Sequence, residues 1–156
     1  MYNIDEIYKM LHWHNESEVQ LQGMELARKL EDISLLIQPA AHGSVWDGCA
    51  RILYEKSDDI LEPHLTQLLG WLEDLNWNGA LLILERLKKF SDVKALSYHV
   101  DQYVKKLSER GTWEELSSLD HLCHIIENRE LEVFLPKETR KILQKHYQNP
   151  GWWDEE

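Results

Sequence analysis

Leu68–Leu87 reads LLGWLEDLNWNGALLILERL. It divides into a helix end, a corner at Asp74-Leu75-Asn76-Trp77, and a second helix that is apolar on nearly every side. Before the corner, Leu61, Leu65, Leu68, Leu69 and Leu72 fall on one stripe, with Trp71 about ninety degrees away at one hundred degrees per residue. After it, Trp77, Ala80, Leu81, Leu84 and Leu87 are expected on one face and Leu82 almost opposite. A helix apolar on both sides is sandwiched between neighbours, so this one is expected at the centre of a helical stack.

The rest of the chain repeats the helix–corner–helix theme. Asn3 is placed to cap a first helix with Ile4, Ile7, Tyr8 and Leu11 on its face. Ser17 and Ser44 are expected to cap the second and third, and Pro39 stops the apolar turn between them. Pro63 fits only a first turn, which starts the next helix near Leu61 or Glu62. Ser91 is expected to cap the longest helix, and Gly111 supplies a left-handed residue just past its end. Thr112 and Glu115 have capping-box spacing, and Pro136 opens the last helix. No segment alternates with period two for long. The expected fold is all-α, a right-handed stack of about eight helices. It is read as one domain over 1–156, with repeats over about 17–127, capping helices at 3–12 and 137–147, and a tail at 148–156.

Two segments support the repeat. Trp46-Asp47-Gly48-Cys49-Ala50-Arg51-Ile52-Leu53 and Trp77-Asn78-Gly79-Ala80-Leu81-Leu82-Ile83-Leu84 agree at Trp, Gly, Ile and Leu, and Trp113 recurs at another helix start. A period in the thirties with one helical hairpin per unit is the mark of a solenoid. In that reading each Trp plugs the gap between paired helices, and the small residues beside it admit a neighbour. The block Leu68–Ala80 also resembles the LLxWLxDxNWPxA core of a bacterial domain family of unknown function, at Trp71, Leu72, Asp74, Asn76, Trp77 and Ala80. Asn78 stands where such sequences often carry Pro. The resemblance implies a HEAT-like helical-repeat fold and brings no activity, cofactor or catalytic residue with it.

Acids outnumber bases 28 to 17, a net charge of −11, which argues against nucleic-acid or anionic-membrane binding and is compatible with a basic protein partner, the partner expected. Cys49 and Cys123 fall on apolar helical positions and read as buried free thiols in a reducing compartment, with a single disulfide as the alternative. The N-terminus has no basic segment followed by an apolar run, and no stretch is long enough to span a membrane. A cytoplasmic protein is expected.

No catalytic motif is present. His12 and His14 supply two ligands where zinc needs four, and His121 and His124 lack the spacing and the Glu of the zinc-protease helix, so neither metal nor cofactor is expected. The candidate partner-binding residues are the corner group Trp71, Glu73, Asp74 and Asn76, and the tail pair Trp152 and Trp153, which either folds back or inserts into another molecule. The leading expectation is a non-catalytic protein–protein interaction module, an immunity-type or regulatory binder. The alternative is an enzyme like the HEAT-like DNA glycosylases, using Trp71, Trp77 and Asp74, for which Arg86-Lys88-Lys89 and Lys105-Lys106 are the strongest basic clusters.

Overall fold

The structure, a computed structural model, describes residues 2–154. Helices α1 (Ile4–Leu11), α2 (Ser17–Arg28), α3 (Trp46–Glu55), α4 (Asp58–Leu61) and α5 (Leu65–Trp71) precede the corner. After it come α6 (Ala80–Lys88), α7 (Val93–Arg110), α8 (Trp113–Leu122), α9 (Arg129–Phe134) and α10 (Lys137–Gln148). Short 3-10 turns lie at Ile33–Leu36, Gly43–Val45, Glu62–His64, Cys123–Glu127 and Trp152–Asp154. The fold is all-α, and no strand occurs among the described residues.

Helix α1 packs on α2, α2 on α3, and α3 on α6. Helix α5 packs on α7, which also receives α8 and α9. One buried apolar cluster runs through these contacts from Ile7 of α1 to Leu143 of α10.

Several caps differ from the sequence reading. Asn3 does cap α1, its Oδ1 accepting the Glu6 N–H at 2.9 Å, and Gly111 ends α7 at φ +58°. Ser17 and Ser44 make no cap. Glu16 holds the first position without a side-chain bond, and Ser44 is a buried residue of the turn leading into α3. Ser91 is replaced by Asp92, which accepts the Ala95 N–H. Ser91 instead donates its N–H and hydroxyl to Asp58. Thr112 sits at the cap position of α8 without closing the box. Only at α7 does another side chain take over the capping bond, Asp92 capping while Ser91 is engaged by Asp58. The helix expected from Leu61 or Glu62 begins earlier, as α4 at Asp58, and Pro63 lies in the 3-10 turn, where its missing N–H leaves no ladder bond unmade.

The tryptophans of the two matching segments do not occupy equivalent places. Trp46 is the first residue of α3, whereas Trp77 precedes α6 by three positions. Gly48 faces Leu11 of α1, while Gly79 has φ +81° and faces Ala50, Trp46 and Trp71. Trp77 and Trp113 are exposed rather than plugged between helices; the side chain that fills the interior is Trp71.

Cys49 and Cys123 are free and fully buried. Burial pushes both thiols up to about 12, so neither forms thiolate at neutral pH. An aromatic disulfide reagent should label neither cysteine in the native protein and both after denaturation; rapid native labelling of either one would contradict the packing.

An ionic tie joins α6 to α10 across the Cys123–Glu127 turn. Lys88 Nζ donates to Glu127 Oε1 at 2.8 Å, and the Tyr147 hydroxyl donates to Oε2 at 3.0 Å. Lys88 foremost, helped by His124 and Tyr147 against partial burial, holds the Glu127 carboxyl down at about 2, from 4.5. The unfolded chain therefore binds this proton more readily. The stabilisation is complete above about 4.5 and is lost as pH falls toward about 2. Glu127→Gln should flatten the acid limb of the Tm profile in that window, and an unchanged limb would show that the tie is screened out by solvent.

Candidate partner-binding site

The corner between α5 and α6 is built from hydrogen bonds that reach far along the chain. Asp74 Oδ1 accepts the Asn76 N–H at 2.9 Å, and the Trp77 N–H reaches the Asp74 carbonyl at 3.1 Å. The Trp71 indole donates to the Asn78 carbonyl at 3.0 Å. The Asn78 side-chain amide donates to the Gly43 carbonyl at 2.9 Å, a bond that Pro at this position would lack. The Leu75 N–H donates to His121 Nδ1 at 3.0 Å, which requires the Nε2–H tautomer of that ring. Gly79 then turns the chain into α6 with a left-handed backbone.

This geometry separates the expected corner residues. Trp71, expected on a rim, is 0% exposed and is thereby removed as a partner contact: it packs edge-on against Trp46, with ring centroids 6.0 Å apart. Glu73, expected as an exposed acid, is half-buried and accepts from the hydroxyls of Tyr103 on α7 and Ser118 on α8. Burial first, then Glu73, pushes the Tyr103 phenol well above its ordinary range. Glu73 is an interhelical brace. Asp74 is half-buried and Asn76 exposed, so both can still meet a partner.

Trp77 is 39% exposed, and Leu81, one turn into α6, is 61% exposed. Leu81, expected on the buried face, lies outside it. The helix starts at Ala80, not Trp77, and its core face is Ala80, Ile83, Leu84 and Leu87. Trp77 and Leu81 line a shallow groove of about 630 Å³ together with Leu75 and Leu82, Asp47 and Arg51 of α3 and Glu85 of α6. Trp46 meets the Trp77 ring edge-on at 6.2 Å. One signal for this outer face was available: Leu81 shares its arc with Glu85 and Lys88 at four- and seven-residue steps.

The tail folds back. Asp120 of α8 gathers it: Oδ2 accepts the Gly151 N–H at 2.9 Å and the Trp153 indole N–H at 3.0 Å, while Oδ1 receives His146 Nδ1 at 2.6 Å. Trp153 packs edge-on against Trp113, and Trp152 against His146, with Lys145 Nζ 3.6 Å from the Trp152 ring centroid. Both tail tryptophans are half-buried, so in this arrangement most of their surface is given to their own chain.

Elsewhere, His42 joins His12 and His14, which sequence spacing could not reveal. The rings stack on His12 with centroids 4.8 and 5.2 Å away. Partial desolvation, then the two neighbouring imidazoles, lowers the His12 pKa. Among the described residues no group of three or more His, Cys, Asp or Glu is arranged to hold a metal, and no helix is long and apolar enough to cross a membrane.

The corner and its groove lie almost wholly inside one recognisable segment. Residues 47–115 match a family model described as a domain of unknown function, DUF5071. The DUF5071 match takes in the Leu68–Ala80 block, every residue lining the groove from Asp47 to Glu85, and all of α7. It leaves out α1, α2 and the tail. No curated protein and no solved structure matches the chain.

Proposed function

We propose that this protein is a non-catalytic, acidic helical scaffold that holds a basic protein partner, in the manner of an immunity-type or regulatory binder. In this reading the helices form a short HEAT-like stack, supported by the succession of α2 on α3 and α3 on α6. The observation that carries the function is the pairing of exposed Trp77 and Leu81 above a corner held rigid by long-range hydrogen bonds. Large apolar side chains on a preorganised surface are what partner binding uses, and a net charge of −11 selects a basic partner.

The strongest basic clusters are largely engaged internally, which favours this reading over a phosphate-gripping enzyme. Arg86 donates to Asp58 at 2.5 Å and to the Lys56 carbonyl at 2.8 Å. Lys88 lies between Glu85 and Glu127, Lys89 donates to the Tyr54 hydroxyl, and Lys105 pairs with Asp101.

The test is affinity capture from the native lysate at low salt, followed by direct titration of the purified captured protein at low and high ionic strength. A basic partner whose affinity falls steeply with salt is the expected result. A salt-insensitive interaction, or no reproducible protein partner, would overturn the reading.

A further inference from the structure

We propose that the groove beside α6 is a docking site for a basic amphipathic helix presented by another protein. The inference rests on the protein-binding reading and names what that site accepts. Exposed Trp77 and Leu81 offer apolar surface to the groove, and Leu75 and Leu82 add to its apolar lining. Within α6 the lining runs from Leu81 to Glu85, about one helical turn or on the order of 6 Å, and Leu75 and Trp77 of the corner extend the apolar surface beyond the start of that helix. Such a patch suits the apolar stripe of an incoming amphipathic helix.

Charge decides the occupant. Asp47 and Glu85 flank the groove against Arg51, Glu85 reaching Lys88 through one oxygen, and Asp74 stands at the corner beside it. Carboxylates outnumber Arg51 in the lining, so a helix with Lys or Arg beside its apolar stripe meets Asp47 and the free oxygen of Glu85. A second copy of this chain would bring another −11 to a surface already acidic, which disfavours self-association. The groove walls are fixed before binding: Asn78 ties the corner to Gly43, and Trp46 backs Trp77. Little ordering is then required of the protein when the helix docks.

The probe is a synthetic helical peptide of leucine and lysine with leucines at i, i+4 and i+7, set beside a counterpart carrying glutamate for lysine. Each is titrated into the full chain labelled with nitrogen-15. The expected result is a shift of the Trp77 indole resonance and the Leu81 amide with the lysine peptide alone. Leu81→Glu should weaken that binding about tenfold or more; because Leu81 is largely solvated, its Tm should hold. Equal binding of both peptides, shifts confined to other surfaces, or undiminished binding by Leu81→Glu would overturn the proposal. So would a dimer that Leu81→Glu dissociates, since the occupant would then be a second copy. A captured basic partner indifferent to Leu81→Glu would overturn the groove and leave the protein-binding reading standing. Peptide binding at the groove in a protein that captures no partner would overturn that reading instead.

Discussion

Gly79→Ala is expected to destabilise the protein by about 3 kcal/mol, a large fraction of a typical domain's stability. The backbone at Gly79 has φ +81°, where an L side chain costs about 1–2 kcal/mol. Space is short as well. A Cβ there would lie 2.8 Å from Ala50 Cβ and 2.9 Å from both the Trp46 carbonyl oxygen and Trp71 Cζ2. The first two turns of α3 and a fully buried indole cannot yield as a surface lysine would, so overpacking adds about 1–3 kcal/mol. Urea unfolding followed by far-UV circular dichroism measures the change. A loss of less than about 1 kcal/mol would mean that the corner relaxes easily and is not rigidly packed. Gly111→Ala is the useful contrast. Its φ is also positive, but its nearest contact would be the Ser108 carbonyl at 3.3 Å, so strain dominates and the loss should be smaller.

Trp71→Ala should cost about 4 kcal/mol, within the range for truncating a large buried aromatic. The side chain is fully buried among Trp46, Gly79 and the helices around them. Its loss leaves a cavity and strips the Asn78 carbonyl of its indole donor. Trp71→Phe keeps most of the volume but not the donor and should fall between wild type and Ala. Trp77→Ala, at the solvated end of the same aromatic cluster, should change stability by less than about 1 kcal/mol. Equal effects at Trp71 and Trp77 would refute the assignment of one to the interior and the other to the surface.

These contrasts show where sequence reasoning reached. The all-α class followed from apolar spacing, and the caps at Asn3 and Gly111 followed from residues whose preferences are strong and local. The roles of Trp71 and Trp77 were exchanged for a specific reason. Trp71 was placed by an angular plot that assumes an ideal helix, and Trp77 by a helix assumed to start with it. A left-handed Gly79 separates Trp77 from the phase of α6. Leu81 lies about one hundred degrees from Ala80, outside the face that Ala80, Ile83, Leu84 and Leu87 share. Glu73 looked like a free acid since nothing nearby in sequence neutralises it; its partners, Tyr103 and Ser118, stand 30 and 45 positions away. His42 reached His12 and Asp120 reached Trp153 by the same kind of long-range closure, which hydrophobic periodicity does not encode.

The bond from the Leu75 N–H to His121 also bears on the order in which the chain takes shape during synthesis. A turn of four residues would ordinarily close as soon as it leaves the ribosome, but this one is finished by a ring 46 positions further on. At about 5–20 residues per second the wait is roughly 2–9 s. Throughout it Trp77 and Leu81 stand beside a corner that is not yet braced, so the surface read here as the binding face is also the one most open to premature contact while the protein is being made.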